Sequence, residues 1–173
     1  VGRVLAALDE FQLSERTVVI FTSDNGGLIT RGTTSNHPLR YGKASAYEGG
    51  VRVPLIVRWP GVTRPDSISD VPVITMDLLP TLKEGCALGP PAVPPASGTP
   101  GRDGVSLLPL LRGSGTPGRT ELFWHYPHHQ HYQLGGATPY GAIRSGDFKL
   151  VEFFNDMRVE LYNLRDDIGE QHD

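Results

Sequence analysis

With one cysteine in 173 residues, the chain can hold no internal disulfide framework, and that single thiol does not reveal the compartment. No apolar run approaches the roughly 20 residues that a membrane helix needs. Charge of one sign is also scarce. Sixteen basic against 19 acidic residues leave a formal net charge of −3, which offers nucleic acid no bulk electrostatic attraction. The opening stretch, Val-Gly-Arg-Val-Leu-Ala-Ala-Leu-Asp-Glu, has neither an initiator methionine nor the shape of a signal peptide. There are no internal repeats. Glycine (21) and proline (15) are plentiful, which points to a loop-rich structure rather than a helical one. The length suffices for one domain with a sizeable core.

The most informative stretch runs from Thr17 to Pro54. Val18-Val19-Ile20-Phe21 is apolar throughout, rich in β-branched residues and too short for a helix, so it reads as a strand buried on both faces in a parallel sheet. It stops at Thr22-Ser23-Asp24-Asn25-Gly26-Gly27. Ligand sites of open α/β sheets gather beyond the carboxyl ends of the strands, which is where Asp24 and Asn25 fall. A carboxylate and an amide carbonyl are hard oxygen donors suited to Ca²⁺ or Mg²⁺. On the tetrapeptide Asp-Asn-Gly-Gly alone a plain turn is the better reading. Eighteen positions after Asn25, however, comes Lys43 in Tyr-Gly-Lys-Ala-Ser, followed by Tyr47-Glu48-Gly49-Gly50-Val51-Arg52-Val53-Pro54.

The two blocks in this order resemble the sulfatase family of the alkaline phosphatase superfamily, in which T-x-D-N-G precedes G-K-x-x-x-Y-E-G-G-x-R-x-P. The resemblance covers nearly the whole chain and implies the C-terminal portion of an α/β sulfatase fold, ending in a small antiparallel β-sheet plus helix subdomain. The family's nucleophile motif, C-x-P/A-S/T-R, occurs nowhere in the 173 residues. A doubly wound sheet also needs several βα units, and only one helix precedes the Val18 strand. The expectation is therefore the C-terminal part of a longer, arylsulfatase-like enzyme, catalytically silent by itself. By the same resemblance the location is periplasmic or extracellular.

Along the chain, residues 1–13 read as an amphipathic helix with Val4, Leu5, Leu8 and Phe11 on one side. The polar loop 28–40 is too long for a mere connector. Its Arg31, Asn36, His37 and Arg40 could reach an anionic substrate, with a solvated loop as the default for each. Leu55–Trp59 reads as a second strand, and Met76–Leu82 starts a helix with Pro80 in its first turn. That Asp-Leu-Leu-Pro-Thr-Leu motif is read as packing, as is Cys86. Residues 89–101 hold five prolines and three glycines, the composition of a linker. The domain reading is thus 1–88 for the α/β part, 89–104 for the linker and 105–173 for the small α+β subdomain. The runs Glu121–His125, Tyr140–Arg144, Asp147–Phe154 and Arg158–Leu164 have the spacing of an antiparallel meander.

What the resemblance implies about chemistry is specific. The nucleophile is a hydrated formylglycine made upstream, and Asp24 and Asn25 are two of the Ca²⁺ ligands. Lys43 contacts the sulfate group; a compact ammonium without acceptors suits a cluster of oxygens. Ala44 stands where the family often has glycine. Glu48 and Arg52 are read as an ion pair bracing the loop that presents Lys43. Phe123–Tyr132 holds four of the six histidines in no closed zinc spacing. His125 and His128 are candidates for the substrate pocket, with an exposed polar loop as the alternative. The partner is a small sulfate ester or a sulfated carbohydrate. Two rivals remain: a phosphatase or phosphonate monoester hydrolase of the same superfamily, which Asn25 disfavours, and a non-catalytic module derived from a sulfatase, which intact Asp24, Asn25 and Lys43 disfavour.

Overall fold

A computed structural model of the chain describes residues 1–88, 104–129 and 138–173. In chain order the elements are helix α1 (Gly2–Glu10), a 3-10 turn (Ser14–Arg16), strand β1 (Val19–Thr22), a 3-10 turn (Thr30–Gly32), helix α2 (Glu48–Val51) and strand β2 (Leu55–Arg58). A 3-10 turn (Thr75–Asp77) then leads into helices α3 (Leu78–Gly85) and α4 (Leu108–Leu111) and strands β3 (Glu121–Tyr126), β4 (Tyr140–Ser145), β5 (Phe148–Phe153) and β6 (Arg158–Asn163). No helix among the described residues is long and apolar enough to cross a membrane. The described elements mix helices with strands and end in a four-stranded antiparallel sheet, the arrangement expected of the C-terminal portion of such an α/β fold.

The chain divides into two compact units that do not follow its linear order. The first comprises Val1–Ile20 and Val57–Arg119, the second Phe21–Ile56 and Thr120–Asp173. The second unit thus joins the Asp24–Lys43 region to the C-terminal sheet, whereas the linear reading separated them at the proline-rich stretch. That stretch, 89–103, lies outside the described residues.

In the first unit, α3 is anchored at its start. Asp77 is fully buried, and its carboxylate receives both Arg119 terminal nitrogens at 2.7 Å, the Ile74 N–H at 3.0 Å and the Val105 N–H at 3.0 Å. Burial alone would raise this carboxyl, but the Arg119 bonds and the two amides outweigh it and hold it below its ordinary value of 3.8. Thr81 Oγ1, one turn on, donates to the Asp77 carbonyl and accepts the Leu107 N–H at 2.8 Å. The motif read as packing is therefore a polar clasp as well. Cys86 corrects the same reading: it caps the C-terminus of α3 and is exposed rather than buried in a core.

The Val18 strand also differs from expectation. It begins at Val19, and the only strand paired with it among the described residues is β2. Phe21 is 43% exposed and Ile56 61%, because a two-stranded ribbon has too few neighbours to cover both faces.

The second unit is built on the meander β3-β4-β5-β6, antiparallel throughout, as the spacing predicts. Alternation decides its faces. Lys149, Val151 and Phe153 of β5 point to the buried side, opposite Arg144, Ala142 and Tyr140 of β4 and Tyr162, Glu160 and Arg158 of β6. The core on that side gathers Ala46, Tyr47, Tyr140, Ala142, Val151, Phe153, Tyr162 and Leu164. Tyr47, immediately before α2, is the hub. Its ring lies 5.4 Å from Tyr41, 6.0 Å from Phe153 and 6.3 Å from Tyr162, with the Arg40 guanidinium 4.0 Å from its centroid.

Candidate active site

β1 ends at Thr22 and the chain turns at once. The Ser23 hydroxyl donates to the Asn25 carbonyl at 2.8 Å, the Asn25 N–H to Asp24 Oδ1 at 3.0 Å, and Asn25 Nδ2 to the Gly26 carbonyl at 2.8 Å. These are the local bonds by which short polar side chains shape a turn. They leave Asp24 Oδ2 and Asn25 Oδ1 without a hydrogen-bond donor among the described residues. Asp24 is exposed and Asn25 half-buried, so two hard oxygen donors stand open beyond the strand end. They fit a Ca²⁺-type cation by donor chemistry and fall short by number, since such an ion takes about 6–8 oxygens. Among the described residues no group of three His, Cys, Asp or Glu converges.

The second sequence block locks onto this turn through backbone contacts. The Gly26 N–H donates to the Gly50 carbonyl at 2.9 Å, and the Lys43 N–H to the Gly27 carbonyl at 3.1 Å. Space requires glycine here. A Cβ on Gly26 would sit 1.6 Å from the Gly49 carbonyl oxygen, and one on Gly50 would sit 2.3 Å from that of Ser45. Asn36 completes the clamp: its Oδ1 accepts the Gly27 N–H at 3.0 Å, while its Nδ2 donates to the carbonyls of Gly27 at 2.9 Å and Tyr41 at 3.0 Å. Lys43 is half-buried, and no carboxylate pairs with its ammonium among the described residues. Ala44, next to it, sits at φ 72°, in the left-handed region that favours glycine.

The start of α2, five residues after Lys43, rests on buried charge. Lys149 Nζ, fully buried, lies 2.9 Å from Glu48 Oε1 and 2.9 Å from Glu170 Oε1. Glu170 Oε2 accepts the Glu48 N–H at 2.6 Å. The expected Arg52–Glu48 pair is present at 3.7 Å but is the longer and more exposed contact, and Arg144 approaches the same oxygen at 4.0 Å. Burial pushes the Glu170 carboxyl above its ordinary 4.5, against the opposing pull of Lys149 and the Glu48 amide. A second cluster adjoins. The Tyr47 and Tyr162 hydroxyls each donate to Glu160 Oε2 at 2.7 Å, and Arg40 donates to the Tyr162 hydroxyl at 3.0 Å and to the Glu170 carbonyl at 2.7 Å. Burial, with Glu160 alongside, raises both phenols, Tyr162 to about 12.

Of the residues singled out by sequence, Asp24, Asn25 and Lys43 lie on two loops stitched to each other. His125 is on the exposed side of β3, its ring 5.6 Å from Phe154, and exposed His128 stands edge-on to Tyr126 at 5.3 Å. No hydrogen bond or ring contact joins either to the Asp24 or Lys43 loops. His131 and the side chain of Arg31 lie outside the described residues. Asn36 holds the Gly27 and Tyr41 backbone with both ends of its amide, and Arg40 Nη1 is tied to the Tyr162 hydroxyl and the Glu170 carbonyl. Lys149 and Glu170 went unnoticed in the sequence. The first had a signal, since period-2 alternation puts it on the face of Val151 and Phe153. The second had none.

The sulfatase family model matches residues 1–84. The chain is 40% identical over 185 residues to a sulfatase of Formosa agariphila, covering 98% of this chain and 32% of that protein. It is 38% identical over 157 residues to arylsulfatase A of Homo sapiens, covering 89% of this chain and 28% of that one. Among solved structures, that of Ps i-CgsB in complex with k-i-k-neocarrahexaose superposes with a TM-score of 0.79 at 27% identity, over 99% of this chain and 35% of that one. The chain therefore spans about a third of the length of the relatives it matches. Two interlocked glycine-bearing loops, an Asp-Asn pair at a strand end and a half-buried lysine agree with that kinship: the chain belongs to the sulfatase family.

Proposed function

We propose that the chain is the C-terminal part of a sulfatase that hydrolyses sulfate esters, a small ester or a sulfated carbohydrate such as the one named with its structural neighbour. The observation that carries this reading is the pair of backbone bonds, Gly26 to Gly50 and Lys43 to Gly27, that fastens an open oxygen pair and a free ammonium to one scaffold. In the full-length enzyme, Ca²⁺ on Asp24, Asn25 and upstream carboxylates would supply a Lewis acid, and an upstream formylglycine the nucleophile. The residues of this chain do the rest of the electrostatic work. Asn25 offers an oxygen without adding negative charge, which suits an anionic substrate. Among the described residues the Lys43 ammonium pairs with no carboxylate, and its loop is held by the Lys43 backbone N–H, so it can meet charge on the sulfate oxygens without reorganising. That preorganisation matters because charge stays on these oxygens throughout the transfer. His125 and His128 belong to the reading as residues that choose among leaving groups.

Lys43→Ala in the full-length enzyme tests this. It should lower kcat/KM for an aryl sulfate on the order of 10²-fold or more, with unchanged circular dichroism. Full activity in that variant would return Lys43 to an ordinary surface charge. Asp24→Ala should weaken Ca²⁺ binding measured by calorimetry, and unchanged binding would remove it from the metal shell. Residues 1–173 assayed alone, with and without added Ca²⁺, should show no turnover of an aryl sulfate above background. A preference for phosphonate over sulfate esters in the full-length enzyme would favour the rival hydrolase.

A further inference from the structure

The charge cluster under α2 has no place in the chemistry just described, yet it is among the most deeply buried parts of the second unit. Lys149, Glu48 and Glu170 are 0%, 2% and 0% exposed. Burying three ionisable groups is costly, and such clusters are weak evidence for stability alone. Here the cluster has a mechanical output. Glu48 opens α2, and α2 carries Gly50, whose carbonyl holds the Gly26 N–H next to Asn25. Ser45, between Lys43 and α2, presses its carbonyl against Gly50 so closely that a Cβ there would lie 2.3 Å away. Both candidate functional loops therefore hang on the first turn of a helix only four residues long. Such a short helix has little stability of its own, so its place must be set from outside. Lys149, projecting from the inner strand β5, makes the 2.9 Å contact to Glu48 Oε1, while Glu170 holds the Glu48 N–H from the C-terminal turn.

We propose that Lys149 is a positioning residue: through Glu48 it fixes the first turn of α2, and through α2 it sets the Asp24–Asn25 loop and Lys43 in register with each other. Its task toward metal and sulfate rests on the sulfatase reading, whereas the mechanical link from Lys149 to the Gly26–Gly50 bond does not. Outer partners that orient ligand-bearing groups typically change metal affinity or activity about 10–100-fold when lost, and that is the scale expected here.

The test uses the full-length protein and Lys149→Met, with Asp77→Asn as control, since the control also disrupts a buried ion pair but one that touches neither loop. Two readouts are taken well below the melting transition. The first, on metal-free protein, is deuterium uptake by the segment 22–28, which contains the Gly26 amide. The second is Ca²⁺ affinity, titrated with the metal alone. Lys149→Met should speed exchange in 22–28 and weaken Ca²⁺ binding about 10–100-fold, while Asp77→Asn leaves both unchanged. If Lys149 acts through Glu48, adding Glu48→Gln to Lys149→Met should cost no further affinity beyond the worse single variant. Unchanged exchange and affinity in Lys149→Met, or strictly additive losses in the double variant, would overturn the proposal. Should Lys149→Met fail to fold, Glu170→Gln decides by the same readouts: a smaller shift in the same direction supports the link, and no shift overturns it. Wild-type protein that binds no Ca²⁺ would sink the metal reading, and the exchange result would then decide the positioning role by itself.

Discussion

Each unit of this protein buries a carboxylate against a cation, and the two do it differently. In the first, Asp77 takes four bonds, two from one planar guanidinium and two from backbone amides, all between 2.7 and 3.0 Å. Bidentate arginine geometry of this kind is close to the best a buried carboxylate can find, and it pulls the carboxyl below its ordinary value despite burial. In the second, Lys149 is divided between two carboxylates, Glu48 and Glu170, and the Glu170 carboxyl is pushed up. One centre is saturated and closes a helix start. The other is shared, and it is the one connected to the loops carrying Asp24, Asn25 and Lys43. Where a buried charge must only hold the fold, a single well-matched partner suffices. Where it must set two loops against each other, the charge is distributed over elements far apart in sequence.

The sharpest way to break this comparison is to remove Asp77. Asp77→Ala leaves the Arg119 guanidinium largely buried and unpaired and strips the Ile74 and Val105 amides of their acceptor. The expected cost is about 3–5 kcal/mol, the range for cutting one partner from a buried pair. Denaturant midpoints of the full-length protein measure it. At a temperature where the variant stays folded, kcat/KM for a sulfate ester should match wild type. A loss of turnover beyond the unfolded fraction would mean that the two centres are not separate in function.

Acid provides a gentler probe, because the two centres titrate with opposite signs. The folded pKa of Asp77 lies below its ordinary 3.8, so its contribution is present above about that pH and is lost as pH falls through the lower folded value. The folded pKa of Glu170 lies above its ordinary 4.5. Its term is therefore most favourable below 4.5 and is lost as pH rises through the raised folded value. Stability followed by denaturation across the acid range should show Asp77→Asn erasing the low-pH decline, while Glu170→Gln flattens the slope above pH 4.5. If both substitutions alter the same limb, the two carboxyls are not perturbed in opposite directions.

How much of this was legible in the sequence follows from the range of each signal. Meander, helices and both sequence blocks come from local periodicity and short motifs, and the structure contains them with ends moved by up to three residues. Asp24, Asn25 and Lys43 stood out as candidates because a strand end, a glycine pair and a second block fell in order. The partners that lock the site were not readable, because they come from afar: Arg119 meets Asp77 across 42 positions, Lys149 meets Glu48 across 101, and Glu170 meets Glu48 across 122. Cys86 failed for another reason. The want of a nucleophile motif around it pointed to packing, but it stands just past the end of α3 at an exposed position.

The smallest effect expected lies beside Lys43 and tests whether the second centre's backbone is tuned as tightly as its charges. Four glycines around it, Gly26, Gly42, Gly49 and Gly50, are required by contact, since a Cβ on each would fall within 2.3 Å of a backbone oxygen. Ala44 is the reverse case: a left-handed residue, φ 72°, that carries a side chain. Holding an L-residue there costs roughly 1–2 kcal/mol. Glycine would remove that cost but add about 0.4–1 kcal/mol through the freer unfolded chain. The difference favours Ala44→Gly by about 0.5–1 kcal/mol, a rise of a few degrees at most in the melting temperature of a large protein. Turnover should hold if Lys43 is positioned by its backbone bond to Gly27 and by α2, because neither involves the Ala44 side chain. A stabilised variant with lower kcat/KM would show that the methyl group itself steers Lys43. A variant that melts lower would show that packing of that methyl outweighs the strain it imposes.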